Sequence, residues 1–317
     1  MPIDNAALAA KTAVLIPTRN AGAAWREALE ALQSQTLKPA RVLIVDSSST
    51  DDTVKIARDY GYDVESIDVA TFDHGGTRQM MADRVAPLPY LVFLTQDAIL
   101  NSTDALENLV RYLDADPKIG AVCGRQLPHL DATPIAAHHR LFNYRAHNYT
   151  KTAEDALHYG LKVAYMSNSF GVYRREAFEA VGGFPTRSIF GEDMLAVGRM
   201  LELGWKNGYC ADAAVRHSHN YTFQEEFRRS FDIGVMHAHN KWLLTAFGRA
   251  EWEGLRFVQS ELKYLLKHEP LDIPSAVMRT ALKLVGYRLG KYWHRWPRRF
   301  VLRCSMHRKW WAQQPQE

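Results

Sequence analysis

The sequence predicts an α/β fold with a doubly wound, mostly parallel central sheet and a basic helical C-terminal region. Three observations carry this. Between residues 12 and 124, short β-branched runs alternate with stretches of helical periodicity. Those runs are continuously apolar, as in strands buried on both faces of a parallel sheet. Charge is divided unevenly: residues 251–317 hold 13 Lys and Arg against 6 Asp and Glu, so the rest is mildly acidic although the whole chain is at +4.

The elements follow in order. TAVLIPT (12–18) is a buried strand halted by Pro17, and AAWREALEALQSQ (23–35) is a helix with Trp25, Leu29 and Leu32 on one side. RVLIVD (41–46) is the second strand. Ser, Thr and Asp then open a helix that Gly61 closes. DVESID (63–68) is a weak third strand, TRQMMADRVA (77–86) a short helix, and YLVFL (90–94) the fourth strand. DALENLVRYLDAD (104–116) is a helix and AVCG (121–124) a strand. SFGVYRREAFEAVGGF reads as a strand, then a helix from near Arg174 to the glycine pair. A second helix starts at Glu192-Asp193, and KNGYCADAAV is strand-like. WEGLRFVQSELKYLLKH and AVMRTALKLVGYRLGKYWHRW are helices separated by Pro270 and Pro274. The expected organisation is a catalytic domain over 1–245 and a basic amphipathic region over 246–317.

Composition excludes several classes. With 47% apolar and 23% charged residues, the chain packs a core. Cys123, Cys210 and Cys304 are odd in number and far apart, which matches neither a disulfide framework nor a zinc spacing and suggests a reducing compartment. MPIDNAALAAK lacks the basic-then-apolar order of a signal peptide, and no apolar run reaches the ~18–20 residues that span a bilayer. A cytoplasmic protein is expected. Nucleic-acid binding through the basic C-terminus would leave the acidic first region unexplained, so no nucleic-acid partner is expected.

In doubly wound sheets, ligands sit beyond the carboxyl ends of the strands. Three ends here are unusual: Pro17-Thr18-Arg19-Asn20, Asp46-Ser47-Ser48 and Gln96-Asp97. A lone Asp at such an exit is commonly a cap or turn residue. Two carboxylates, Asp46 and Asp97, in one crevice call for a cation or ligand donors to offset their repulsion. In FDHGGTRQ (72–79), paired glycines before a helix bearing Arg78 suit a diphosphate, although they also suit a plain turn. Glu192 and Asp193 at a helix start complement its dipole or carry chemistry. His217 and His219, at period-two spacing, are packed or surface histidines, or one completes a metal site with Asp97.

Taken in order, Pro17-Thr18-Arg19-Asn20, Val45-Asp46, the Asp97 strand end, Gly183-Phe184, Glu192-Asp193 and Gly204-Trp205 resemble the inverting GT-A glycosyltransferases of glycosyltransferase family 2, over residues 12–245. FDHGGTRQ with FLTQDA is most similar to that family's bacterial rhamnosyltransferase branch. Thr95-Gln96-Asp97 keeps only the last acid of the family's D-x-D metal motif, and Gln79 stands where the branch commonly has Asn.

The resemblance implies a dTDP-sugar donor, dTDP-L-rhamnose above all, and a hydroxyl of a surface-polysaccharide or lipid-linked saccharide acceptor. It implies a divalent cation, Mg²⁺ or Mn²⁺, held by Asp97, and Gln96 beside the sugar. Asp193 matches the family's catalytic base, with Glu192 contacting acceptor or sugar. Pro17, Thr18, Asn20, Asp46 and Ser48 match its nucleoside contacts, and Arg78 shares the diphosphate. Other UDP-sugar transferases remain an alternative. A sugar nucleotidyltransferase would need a Gly-rich loop with Arg and Lys where PTRNAGAAW stands. Residues 251–317 are expected either to pack on the catalytic domain or a second subunit, or to dock on the anionic inner face of the plasma membrane. In the second case Trp293, Trp296, Trp310 and Trp311 would lie among headgroups.

Overall fold

In the computed structural model, which describes residues 4–248 and 253–313, the alternation begins one element early. Helix α1 (Asn5–Lys11), capped by Asp4, leads into β1 (Thr12–Thr18). There follow α2 (Trp25–Gln33), β2 (Arg41–Asp46), α3 (Thr53–Asp59), β3 (Val64–Ser66), α4 (His74–Arg84) and β4 (Tyr90–Leu94). Helix α4 starts earlier than its periodicity suggests because Asp73 caps it, accepting from the Gly76 N–H at 2.6 Å. Next come β5 (Ile99–Leu100), α5 (Ala105–Asp114), β6 (Ile119–Leu127), α6 (Pro134–Asn143), β7 (Tyr149–Lys151) and α7 (Ala156–Tyr159). Then come β8 (Phe170–Arg174), α8 (Arg175–Ala180), α9 (Glu192–Glu202) and β9 (Lys206–Arg216). The remainder is helical: α10 (Phe223–His239), α11 (Lys241–Phe247), α12 (Glu253–His268), α13 (Ile273–Lys291), α14 (Arg298–Cys304) and α15 (Arg308–Ala312).

The strands form one sheet in the order β3-β2-β1-β4-β8-β6-β9-β5, with β7 alongside β9. The β3-β2-β1-β4 half is parallel, and β6 pairs with β9 in parallel. Between these blocks β8 is antiparallel to both β4 and β6. Both faces are buried: Val14 and Ile16 of β1 join one apolar cluster, Ala13 and Leu15 the other. That two-sided burial is why these strands read as unbroken apolar runs. Because β8 runs backwards, its N-terminal approach lies at the edge where β1, β2 and β4 end, with Phe170 opposite Leu94.

The C-terminal helices are built onto this layer rather than strung after it. The expected boundary at residue 245 falls inside α11. Helices α10 and α13 meet backbone to backbone: a Cβ on Gly290 would stand 1.9 Å from the Phe231 carbonyl oxygen, and one on Gly234 would stand 2.2 Å from that of Tyr287. Trp310 and Trp311 are buried with Ile189, Phe231, Val235 and Met236, and Trp293 packs beside them. The expectation of headgroup-facing tryptophans is therefore corrected for Trp310 and Trp311; Trp293 is half-buried and Trp296 is exposed. Trp252, placed in the same helical pattern, lies outside the described residues.

Candidate active site

Hydrogen bonds join the three unusual strand ends. Gln96 grips the Arg19 backbone in both directions, its Oε1 accepting from the N–H at 2.7 Å and its Nε2 donating to the carbonyl at 3.1 Å. Asp46 accepts from the Thr18 hydroxyl at 3.1 Å and from the Ser49 N–H at 2.8 Å. Asn20, with φ of 45°, accepts from the Thr50 N–H at 2.8 Å. Ser48, with φ of 57°, donates to the Ile67 carbonyl at 2.9 Å. Pro17 pairs in register with Val45. The crevice is thus assembled as expected. Gln96 clamps a neighbouring loop, and Asp46, 1% exposed, is held by internal ties. The Ser47 hydroxyl, directly after β2, is buried with no hydrogen-bond partner among the described residues. Buried polar groups are rarely left so without a ligand or water to meet them.

Asp97, His217 and His219 converge. His217 Nε2 lies 3.4 Å and His219 Nε2 3.8 Å from Asp97 Oδ2. All three ligand atoms lie within 4.8 Å of one another. Beyond the ring, His217 Nδ1 lies 2.9 Å from Gln126 Oε1, which also accepts from Arg140 Nη1 at 2.8 Å. An amide oxygen cannot donate, so Nδ1 carries the hydrogen towards Gln126 and Nε2 is the nitrogen that faces Asp97: protonated, it donates to the carboxylate; unprotonated, it offers a lone pair. Burial lowers the affinity of His217 for a proton despite Asp97, and holds His219 down at about 4, with the neighbouring His217 adding to it. Burial opposes ionisation of Asp97, but hydrogen bonding and charge from His217, then His219, place its carboxyl well below the ordinary range. A carboxylate and two imidazoles that burial disposes to neutrality, with their ligand atoms gathered in one place, fit a divalent cation.

A second centre lies at the start of α9, which Gly191 enters with φ of 77°. Asp193 accepts from the Asn168 N–H at 3.1 Å through one oxygen and from the Met194 N–H at 2.8 Å through the other. Burial, then the adjacent Glu192 charge, push its carboxyl up to about 7. Glu192, 4% exposed, forms an ion pair of 3.2 Å with Arg78 and accepts from Asn168 Nδ2 at 3.0 Å. Burial works against its charge too, but Arg78, His74 and Asn168 prevail and keep it ionised. Arg78 is buried against Glu192 and the His74 carbonyl, and Glu192 faces the interior. Gly75, in the first turn of α4, has a packing reason: a Cβ there would stand 2.0 Å from the Pro185 carbonyl oxygen.

Residues 167–169 connect the two centres. The Ser167 hydroxyl accepts from Gln126 Nε2 at 2.8 Å, Asn168 holds Asp193 and Glu192, and the Ser169 carbonyl accepts from the Thr95 N–H at 3.2 Å. Asn168 Oδ1 is fixed in turn by the Tyr173 hydroxyl at 2.8 Å. Asn168, Gln126 and Arg140 were not singled out from the sequence. The signal was present, since MSNSF places three polar residues directly before a buried strand. Inspecting only carboxyl strand ends misses it, because β8 is antiparallel.

A family model described as "Glycosyl transferase family 2" matches residues 13–182. The chain belongs to glycosyl transferase family 2. Across its length this family 2 chain is 46% identical to the O-antigen chain rhamnosyltransferase RfbN of Salmonella typhimurium, covering 95% of this chain and 96% of that protein. It is 47% identical to the O-antigen chain rhamnosyltransferase WbaN of Salmonella anatum, covering 94% and 95% respectively. Among solved structures it is similar to the mannosyltransferase PcManGT from Pyrobaculum calidifontis in complex with GDP-Man and Mn²⁺. The TM-score there is 0.59 at 19% identity, over 96% of this chain and 88% of that one. That likeness supports the GT-A fold of this transferase.

Proposed function

We propose that this family 2 transferase moves L-rhamnose from dTDP-L-rhamnose, with inversion, to a hydroxyl of a growing surface polysaccharide carried on a lipid at the cytoplasmic face of the membrane. One observation carries the reaction class: the Asp193 carboxyl, whose affinity for a proton burial and Glu192 raise, is held on the same short segment that supports the Asp97–His217–His219 cluster. The rhamnosyl specificity rests on the relatives of 46–47% identity, which are O-antigen chain rhamnosyltransferases.

The residues divide the work. Pro17, Thr18, Asn20, Asp46 and Ser48 shape the nucleoside end of the crevice through the loops they tie together. Asp97, His217 and His219 would hold Mg²⁺ or Mn²⁺. When bound, the ion would neutralise charge on the departing diphosphate. Each oxygen of Asp193 accepts from one backbone N–H and keeps a further lone pair for the acceptor hydroxyl. As the acceptor oxygen bonds to the anomeric carbon, its proton passes to Asp193. The bond from that carbon to the diphosphate breaks with its electron pair on dTDP. Asn168 orients the base, and Arg78 keeps Glu192 charged beside it, so that Asp193 holds a proton below about 7 and above that is free to accept one.

The test is a binding competition in the presence of Mn²⁺ between dTDP-L-rhamnose and UDP-sugars, followed by chromatographic detection of dTDP release. Preference for dTDP-L-rhamnose is expected. Preference for UDP-glucose would overturn the donor assignment.

A further inference from the structure

Helix α13 has its polarity reversed. Its inward side carries Arg279 and Lys283, which pair with Glu226 of α10 at 3.3 and 3.8 Å, and Gly286 and Gly290, which let the backbones touch. Its outward side carries Val277, Met278, Leu284 and Val285, which are 57%, 54%, 61% and 50% exposed, with Ala281 between them. These positions follow the i, i+1, i+4, i+7, i+8 spacing of one helical stripe. A water-facing helix surface ordinarily shows the opposite pattern, and a continuous apolar stripe marks an interaction surface.

What borders the stripe identifies its partner. One turn on, Arg288 is exposed, and Tyr292, Trp296 and Phe300 follow, partly exposed, with the last two rings 5.3 Å apart. Arg295 lies 4.9 Å above the Tyr292 ring, and Arg299 is exposed nearby. Among the described residues, Arg288, Arg295 and Arg299 pair with no carboxylate, and no acidic residue occurs from 273 to 313. A second copy docking through this face would bring cations to cations. An anionic lipid surface supplies both the apolar interior and the compensating charge, with aromatic rings suited to the headgroup level. Among the described residues no helix is long and apolar enough to cross a membrane, so the contact is with the surface.

We propose that the outer face of α13, with the basic and aromatic end at residues 288–300, docks this protein on an anionic lipid leaflet. This deepens the lipid-carried acceptor of the proposed function, yet it rests on α13 alone. The experiment uses full-length protein, without donor or acceptor, co-sedimented with vesicles of phosphatidylcholine or of equal parts phosphatidylcholine and phosphatidylglycerol. Failure here leaves the transfer reading standing, and loss of transfer activity leaves this one. Sedimentation is expected only with the anionic vesicles. It should weaken as salt shortens the Debye length from about 10 Å at 0.1 M to about 3 Å at 1 M. Leu284→Glu with Val285→Glu should lower partitioning at least about tenfold. The milder pair Met278→Gln with Val285→Thr should lower it in the same direction without adding charge. Leu157→Glu, at an exposed leucine outside the C-terminal helices, should leave it unchanged. Equal binding to both vesicles, or equal binding by wild type and both double variants, overturns the proposal. So does a wild-type dimer that Leu284→Glu with Val285→Glu converts to monomer while neither binds vesicles.

Discussion

Replacing Asp193 with Asn tests the catalytic centre in two independent ways. The first is kinetic. A positioned general base contributes about 10²–10⁴-fold, so Asp193→Asn should cost at least ~10² in transfer with donor binding nearly unchanged. In the wild type the acid limb of the pH–rate profile should fall near 7, where burial and Glu192 place the carboxyl. Glu192→Gln removes the like charge while leaving the Arg78 cation, so that limb should move to lower pH by about one unit, the size of a near-neighbour effect. The second readout is stability. An acid whose folded affinity is raised from 3.8 to about 7 binds its proton more strongly in the folded than in the unfolded chain, so stability falls as pH rises between those values. From pH 5 to pH 8 this amounts to about 2–3 kcal/mol in the wild type, lost because the folded state must carry a buried charge. Asp193→Asn escapes that loss. It gives up one acceptor at every pH, but its Tm relative to wild type should rise by several degrees between pH 5 and pH 8. The assays are nucleotide release at saturating donor across pH 5–9 and thermal melts at the two pH values. Full transfer by Asp193→Asn alongside loss in Glu192→Gln would reverse the roles of the two acids. A pH-independent Tm difference would refute the raised affinity.

Three further outcomes follow from the same geometry. Gln126→Leu should weaken Mn²⁺ affinity in the dTDP complex about 10–100-fold by freeing the His217 ring, whereas Gln126→Glu keeps an acceptor and should retain most of it; equal affinities by calorimetry would remove Gln126 from the site. Arg78→Gln strands the Glu192 carboxylate in the interior and should cost about 3–5 kcal/mol in denaturant unfolding while moving the acid limb upward; an unchanged midpoint would contradict the buried pair. Gly290→Ala drives a methyl against the Phe231 carbonyl and should cost about 1–3 kcal/mol, read as a lowered Tm; no change would mean that α10 and α13 do not pack through their backbones.

The parallel half of the sheet was legible in the sequence because each strand there is buried on both faces, so composition reports position directly. Asp97, His217, His219 and Asp193 were legible because their chemistry is unusual at the ends of elements that local pattern already places. Tertiary structure alone decided what those side chains face. Register and strand direction are long-range properties, and no local pattern tells an antiparallel β8 from a parallel one. Asn168 consequently joined the candidate site unannounced, and the internal clamps made by Gln96 and Arg78 are contacts that no local pattern announces. The C-terminal helices show the same division. Their charge and periodicity are written in the sequence, but which side of α13 meets water depends on glycines that let α10 approach the polar side, leaving the apolar one outside.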